Sequence, residues 1–221
     1  MNDLSGTEPV SVYGRLRADI IFGRLAPGAR LPLESLRAGY GAGAGQLREA
    51  LNRLASERLV VAEGQRGFQV TPVSVANLRE IADLRLLLEC DALEQSFQAG
   101  DTAWEGRVLA AHHMLSRMEA AMAAGDGSHV EKWKQHDWLF HQALISACPS
   151  QVMKETHAAS FDKYLRYQMI ALSFRGDVAA AEHRLMLECA LGRDASGACD
   201  VLRRHVEGGV AHALATGTIR S

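Results

Sequence analysis

The sequence lacks any run of about 18 apolar residues, the length that a membrane-spanning helix requires. Its first residues, MNDLSGTEPVS, also lack the basic and apolar segments of a signal peptide. Cysteine is scarce, and its spacing fits neither a zinc finger nor a redox motif. The four cysteines are Cys90, Cys148, Cys189 and Cys199. They are typical of small buried hydrophobic residues in a reducing compartment, so we expect a cytoplasmic protein without a membrane partner.

Lysine is absent from the first 72 residues, which hold nine arginines and seven acidic residues, for a charge of +2. The rest of the chain carries a charge of −4 and holds all nine histidines and all three tryptophans. This change in composition predicts a domain boundary near Thr71-Pro72. The predicted parts are a flexible arm (1–9), a first domain (10–72) and a second domain (73–221).

Hydrophobic spacing in the first domain predicts three helices followed by two short strands. The predicted helices span residues 12–22, 34–38 and 46–57, and the predicted strands span residues 59–62 and 67–70. The link between the strands, EGQR, suits a hairpin. Three helices and a two-stranded wing predict a winged helix-turn-helix.

Three motifs in this domain resemble, in order and spacing, the DNA-binding domain of GntR-family transcription regulators. They are VYGRLRADIIFGRLAPGARL, LREALNRLASERLV and GQRGFQV. The resemblance covers about residues 10–71. It implies a homodimer that binds a double-stranded DNA operator, with the third helix as the recognition helix.

The recognition helix starts unusually, because the stretch GYGAGAGQLREAL places four glycines just before or inside its first turn. Similar proteins carry a Ser or Thr cap and then an Arg where this chain has Gly43 and Ala44. Alanine cannot make the bidentate contact of arginine to guanine, so we expect a different base preference. The candidate DNA-binding residues are Gly43, Ala44, Gly45, Gln46, Arg48, Asn52, Arg66 and Gly67.

Each polar candidate has a possible contact. Gln46 could pair with an adenine edge, and Arg48 could reach a guanine or a phosphate. Arg66, at the wing tip, could touch phosphate or the minor groove. Exposed backbone N–H groups at the glycines could bind a phosphate at the helix N-terminus. Arg48 could instead pair with an acidic neighbour inside the domain, and Arg66 could be a solvated loop residue.

No strand is predicted after Pro72, and hydrophobic spacing in the second domain predicts six helices. Ser74, Asp101 and Asp177 are the predicted caps of the first, second and fifth of them. The predicted helices run over residues 74–99, 101–125, 128–148, 151–174, 177–191 and 195–216. Six helices with short loops predict an antiparallel bundle, so the whole protein is expected to be mainly α-helical.

Polar residues lie on helix faces that should be buried. Asp137 and His141 are one turn apart on the third helix of the bundle, and His183 and His205 lie on the fifth and sixth. One aspartate and three histidines suit zinc or nickel. By spacing alone, nine histidines can produce such a pattern by chance.

The stretches around these residues strengthen the assignment through a second resemblance. HDWLFHQALISA resembles the D-x-x-F-H stretch of the FCD effector domain in the FadR-like branch of the GntR family, and AEHRLML and LRRH fall where that domain has its other histidines. The similarity covers about residues 76–216. It implies a divalent metal held by all four residues.

The same resemblance implies a binding site for a small carboxylate effector. Arg85 matches an arginine that faces the pocket in similar proteins, and Tyr164 and Gln168 are further candidates. A buried arginine needs a carboxylate partner, and an ion pair with Glu89 is the alternative role for Arg85. The predicted function is a metabolite-responsive regulator, most often a repressor in similar proteins.

Two other functions remain open at this level. An Asp-His₃ site with an open position could serve a hydrolase or isomerase, but the sequence offers no acid–base pair beside the ligands, so no catalytic residue is assigned. The replacement of the usual cap and arginine at Gly43 and Ala44 could instead indicate an interaction module that has lost specific DNA binding.

Overall fold

The computed structural model describes residues 11–171 and 174–219, except for the side chain of Gln65. The chain divides into two compact units between Val73 and Ser74. The predicted arm of residues 1–9 lies outside the described residues. Within the described ranges, no helix is both long and apolar enough to cross a membrane.

The first unit is a winged helix-turn-helix, as the sequence predicts. Its helices are α1 (Val12–Ile21), α2 (Leu33–Tyr40) and α3 (Ala44–Ser56), and its strands are β1 (Val60–Ala62) and β2 (Phe68–Val70). The strands pair antiparallel with Val60 opposite Val70. A short 3-10 turn, Gly64–Arg66, lies at the tip of this wing.

One face of α3 forms the centre of the first unit. Leu47, Leu51 and Leu54 recur at helical spacing and are fully buried. They belong to one apolar cluster with Leu16 and Ile20 of α1. Each fully buried leucine contributes about 1.5–3 kcal/mol relative to an exposed one. This burial fixes the rotation of α3 and leaves its opposite face to solvent.

The glycine-rich link before α3 has one position that requires glycine. Gly41 ends α2 with φ +61°, in the left-handed region. Gly43 precedes the first helical residue, Ala44, in an extended conformation. The Gln46 side-chain oxygen accepts a hydrogen bond from the Gly43 N–H at 3.2 Å. Because glycine has no side chain to return the contact, only half of a capping box is present.

The second unit is the predicted helical bundle, with six α-helices among its described residues. They are α4 (Val75–Ala99), α5 (Thr102–Ala123), α6 (Val130–Leu144), α7 (Gln151–Ile170), α8 (Asp177–Leu191) and α9 (Ala195–Ala215). Helix α4 packs against α7 and α9, α5 packs against α6 and α8, and α8 packs against α9. This packing surrounds the inward faces of α6, α8 and α9 with neighbouring helices.

Two predicted helix caps are confirmed and one is wrong. The Ser74 hydroxyl accepts from Asn77 N–H at 3.1 Å, and the Asp101 carboxylate accepts from Trp104 N–H at 2.7 Å. Helix α8, in contrast, is preceded by Gly176, and Asp177 is its first residue. An acidic residue in the first turn still stabilises the helix through its dipole.

Two bundle helices are shorter than predicted. Helix α6 starts after the 3-10 turn Gly127–His129 and ends at Leu144, four residues before Cys148. Helix α7 ends at Ile170 rather than at Phe174. After α6 the apolar pattern continues through Ile145 and Cys148, which are buried without being part of a helix.

The expectation of four buried cysteines is wrong for three of them. Cys148 is buried, whereas Cys90, Cys189 and Cys199 are partly exposed, and all four are free thiols. A small side chain at the edge of the apolar face of a helix can be either buried or partly exposed. Sequence spacing therefore does not distinguish the buried cysteine from the partly exposed ones.

Replacing Gly45 with alanine should stabilise the first unit. Gly45 lies in the first turn of α3, and no atom lies within 4 Å of the position of an added Cβ. We expect the free energy of unfolding to rise by up to ~1 kcal/mol, because glycine loses more backbone entropy than alanine. Urea denaturation followed by circular dichroism measures it.

The matched control is Gly41→Ala, which also adds one methyl group in open space but at φ +61°. This variant should be less stable than the parent because alanine is strained there. If Gly45→Ala lowered stability as well, a special backbone requirement at the start of α3 would replace the entropic explanation.

Candidate functional site

The structure brings the four predicted metal ligands together inside the second unit. Asp137 and His141 come from α6, His183 from α8 and His205 from α9. One candidate ligand atom from each residue can be chosen so that all four lie within 4.8 Å of one another. All four side chains are buried. Residues up to 68 positions apart in sequence therefore form one polar cluster in an apolar bundle.

A carboxylate lies behind each of the three histidines. In every pair the contact is made by the histidine Nδ1 atom. The pairs are Glu89 with His141, Glu119 with His183 at 2.6 Å and Glu182 with His205 at 2.8 Å. Metal-binding histidines characteristically donate their second N–H to such a group, which fixes the ring and its tautomer.

The second ring nitrogens of two of these histidines, His183 and His141, face Asp137. The Nε2 atom of His183 lies 3.2 Å from Asp137 Oδ1, and that of His141 lies 3.7 Å from it. Among the described residues, neither Asp137 Oδ1 nor His183 Nε2 has a hydrogen-bond partner, although both atoms are buried. Leaving a buried polar atom unsatisfied costs about 1–3 kcal/mol. A cation between these atoms would satisfy both, so the residues fit a metal.

The protonation states also suit metal binding. Burial holds the pKa of His205 well below its usual value and lowers the pKa of His141, although their carboxylate partners oppose both shifts. Burial opposes ionisation of Asp137, but Lys134 and the nearby histidines keep its pKa well below the usual range. Neutral imidazoles and an ionised carboxylate are the forms that bind a metal.

His183 differs from the other two histidines. Burial opposes its charge, but the neighbouring carboxylates of Asp137 and Glu119 raise the pKa of His183 above its usual value. Two carboxylates thus attract positive charge to this ring. A divalent ion at Nε2 would take the place of the proton that they favour.

A small cavity of about 20 Å³ is lined by three of the four residues, Asp137, His183 and His205, and has room for about one water-sized occupant. All three predicted effector residues, Arg85, Tyr164 and Gln168, line it. The Tyr164 hydroxyl donates to the Val206 carbonyl at 3.1 Å, and the Gln168 amide donates to the Gly209 carbonyl at 3.3 Å. Both side chains are thereby anchored to α9.

Arg85 forms an ion pair with Glu89, the role that the sequence offers as an alternative to effector binding. Its Nε lies 2.9 Å from Glu89 Oε2, and both side chains are buried. The guanidinium also lies over the rings of Phe161 and Tyr164, at 4.1 and 4.8 Å from their centroids. Because Arg85 lines the cavity as well, the ion pair and a role in ligand binding are compatible.

Sequence reasoning missed two further cations at the cavity. Lys134 Nζ lies 3.1 Å from Asp137, and Arg175 lies 2.6 Å from Glu182. Lys134 lies one turn before Asp137 on α6, a spacing that could have indicated the contact. Arg175 lies between α7 and α8, so no helical pattern points to it.

A further histidine of the bundle, His157, is fully buried. Its Nε2 lies 2.8 Å from Glu89, and its Nδ1 lies 2.9 Å from the amide of Gln142. Glu89 therefore joins Arg85, His141 and His157 in one network. The three contacts hold the pKa of Glu89 well below its usual value, against the opposing effect of burial.

In the first unit, the predicted contact residues of α3 are all exposed, from Gly43 to Gln46 and at Arg48 and Asn52. Arg48 forms no ion pair with any described residue, unlike Arg53, which lies 3.7 Å from Glu57. The wing carries Arg66, also exposed, and Gly67 with φ +90°. These groups are therefore available to a partner, whereas Gln46 is engaged by Gly43.

Comparison with known families matches both units. The family described as "Bacterial regulatory proteins, gntR family" matches residues 10–70, and the FCD domain family matches residues 80–208. The two matches fall within the two compact units and together cover most of the chain.

Two curated relatives align over most of their length. The HTH-type transcriptional regulator BphR of Paraburkholderia xenovorans (strain LB400) is 36% identical over 95% of this chain and 86% of its own. The HTH-type transcriptional repressor GlaR of Escherichia coli (strain K12) is 32% identical over 88% of this chain and 90% of its own.

Solved structures have the same fold. McbR/YncC of E. coli is 21% identical, with a TM-score of 0.76 over 92% of this chain and 95% of its own. A GntR transcriptional regulator of Rhodococcus sp. RHA1 is 24% identical, with a TM-score of 0.74 over 92% of this chain and 96% of its own. The chain therefore belongs to the GntR family of bacterial regulatory proteins, in the group with an FCD domain, and is a DNA-binding transcription regulator rather than an enzyme.

Proposed function

We propose that this protein is a cytoplasmic, homodimeric repressor whose affinity for a two-fold symmetric operator is set by a divalent metal ion and a small carboxylate. The observation that carries the proposal is the pair of buried, unsatisfied atoms Asp137 Oδ1 and His183 Nε2. Relatives named as repressors, such as GlaR, support repression rather than activation.

The metal would be held by Asp137, His141, His183 and His205. One oxygen and three nitrogen ligands suit zinc or nickel. The ion would supply fixed positive charge to which a carboxylate can bind. Glu89, Glu119 and Glu182 orient the rings for it and raise their basicity.

The charge of the site favours an anionic effector. Arg85, Lys134, Arg175 and a divalent ion together carry five positive charges. Asp137 and the three glutamates behind the histidines carry four negative charges. One positive charge is left over in a buried site, where a carboxylate would neutralise it.

The size of the site explains how such a ligand could act as a signal. A cavity of about 20 Å³ does not accommodate an organic acid without movement of its walls. Lys134 and Arg175 have long, flexible side chains and can move aside. A ligand that stabilises the enlarged cavity shifts the protein toward that state by its differential affinity for the two states.

Base recognition would centre on α3. Arg48 is exposed and points to no described acidic partner, so it is the strongest candidate for a guanine or phosphate contact. Gln46 must release the Gly43 N–H before both ends of its amide can bind an adenine edge. The exposed backbone N–H groups from Gly43 to Gly45 can bind a phosphate at the helix N-terminus.

Replacing Arg48 with alanine should weaken operator binding. The operator is first obtained by selecting bound duplexes from a random DNA pool at physiological salt, and a short palindrome is expected. If Arg48 reads a base, affinity for that operator should fall about tenfold or more, with relaxed specificity at one position in each half-site. Fluorescence anisotropy at several salt concentrations measures it.

Arg107→Ala is the matched control, since it removes an exposed arginine from α5 in the second unit. It should leave operator affinity unchanged. A uniform loss for Arg48→Ala, with a salt slope lower by about one, would assign Arg48 to a phosphate instead. Failure of the folded, metal-loaded parent to enrich any sequence would refute the proposal of a sequence-specific repressor.

Replacing Glu119 with glutamine should weaken metal binding without removing a ligand. The amide keeps the size of the side chain but removes the charge that polarises His183. We expect affinity for zinc and nickel to fall about 10- to 100-fold. Competition titration with a chromophoric chelator gives the dissociation constants.

Glu188→Gln, an exposed change on the same helix as His183, should bind metal like the parent. Asp137→Ala should abolish stoichiometric binding and the rise in melting temperature that metal produces. Retention of full affinity by Asp137→Ala would place the metal elsewhere and refute the proposed centre.

Replacing Tyr164 with phenylalanine should weaken effector binding but leave metal affinity intact. The hydroxyl faces the cavity and is anchored to the Val206 carbonyl. The ligand is identified by thermal shift of the metal-loaded protein with a panel of small mono- and dicarboxylates. Calorimetry should then show affinity lower by about fivefold, the effect of one lost hydrogen bond.

Tyr167→Phe is the control on the same helix, because its hydroxyl contacts Ser74 and Asn77 outside the cavity. It should bind the acid like the parent. Equal losses in both variants would indicate a general effect on α7. Absence of a metal-dependent shift with every acid in the panel would refute the carboxylate effector.

A further inference from the structure

Two of the four cysteines meet across a helix pair, Cys90 on α4 and Cys199 on α9. The Cys199 thiol donates to the Cys90 carbonyl with a sulfur–oxygen distance of 3.6 Å. Both residues are partly exposed, so a small oxidant can reach them. The other two lack such a partner: Cys148 is buried beside Gln95, and Cys189 lies on α8.

We propose that Cys90 and Cys199 are a modification site that forms a reversible intramolecular disulfide on reaction with hydrogen peroxide or an organic hydroperoxide. The Cys199 sulfur already reaches the backbone of Cys90, and α4 packs along α9. Contact between the two sulfur atoms therefore needs side-chain rotation rather than movement of a helix. A disulfide in a bacterial cytoplasm would be transient, as expected of a redox signal.

The pair also favours the reactive thiolate. The neighbouring Cys199 thiol lowers the pKa of the Cys90 thiol, with further help from Arg203 and against partial burial, Glu89 and Asp200. The pKa of Cys199 is in turn raised by the Cys90 thiol and by burial. Cys90 is therefore the first nucleophile and Cys199 the resolving thiol.

The reaction is balanced with a peroxide as the only oxidant. The Cys90 thiolate attacks the terminal peroxide oxygen, so that a sulfur–oxygen bond forms and the oxygen–oxygen bond breaks; hydroxide leaves from hydrogen peroxide, and an alkoxide leaves from an organic hydroperoxide. Cys199 sulfur then attacks the sulfenic sulfur, and the second oxygen leaves as water with the thiol proton. Two electrons pass from the two sulfurs to the peroxide, and a dithiol reverses the reaction by exchange.

The bond would join two walls of the cavity. Helix α4 carries Arg85 and Glu89, and α9 carries His205 and Gly209. The cross-link closes a loop between residues 109 positions apart in sequence. A loop of this length strongly restricts the unfolded chain, so the oxidised protein should melt higher, by roughly 5–10 °C.

The test uses the reduced, full-length protein. It is treated with hydrogen peroxide, blocked with a maleimide and digested without reductant for mass spectrometry. We expect a Cys90–Cys199 cross-linked peptide that a dithiol removes, together with the higher melting temperature. In Cys199→Ser, dimedone should label Cys90 as the trapped sulfenic acid.

Cys90→Ser and Cys199→Ser should each lose the cross-link and the shift in melting temperature, whereas Cys189→Ser, a matched change at another partly exposed thiol, should keep both. A cross-link between two protein copies, or oxidation of Cys189 in place of this pair, would overturn the proposal. So would recovery of both thiols in reduced form after exposure that oxidises a free thiol standard.

Discussion

The second unit depends on hydrogen bonds between buried carboxylates and imidazoles. Glu89, Glu119 and Asp137 are at most 6% exposed, in the core of the bundle. A carboxylate without a partner in such a place would cost several kcal/mol. Each of the three instead faces at least one histidine, and two of them also face a cation. The helices can approach as closely as they do only because these pairs form.

The same pairs tie the candidate site to the fold. Glu89 links α4 to α6 and α7, and Glu119 links α5 to α8. A ligand that repositions one histidine therefore acts on the packing of two helices. Such a buried network has few intermediate arrangements, because a half-satisfied network is costly. This property suits the proposed change of state on binding of a small carboxylate.

The first unit divides its roles between the two faces of α3. The buried leucines fix the position of the helix, and the exposed face is left with few groups that can read bases. Glycine and alanine at the start of the helix remove the usual cap and the usual arginine, while Gln46 turns back to serve the helix itself. The proposed contact of Gln46 with an adenine edge would therefore compete with its contact at the helix start.

Local patterns in the sequence were sufficient to predict the helices and strands of both units. Leucine spacing predicted α3, and Ser74 and Asp101 predicted the starts of α4 and α5, because these signals act within one turn of the chain. The pairing of Asp137 with His141 is also local. The assignment of His183 and His205 to the same site required resemblance to a known family, since no spacing connects them.

Tertiary structure alone decided which partners these residues have. Glu119 lies 64 positions from His183, and Cys90 lies 109 positions from Cys199, so neither contact leaves a periodic signal. The contact of His157 with Glu89 spans 68 positions and leaves no such signal either. Helical periodicity tells which face of a helix is buried but not which helix covers it. That choice follows from the packing of the whole bundle, and it creates the site.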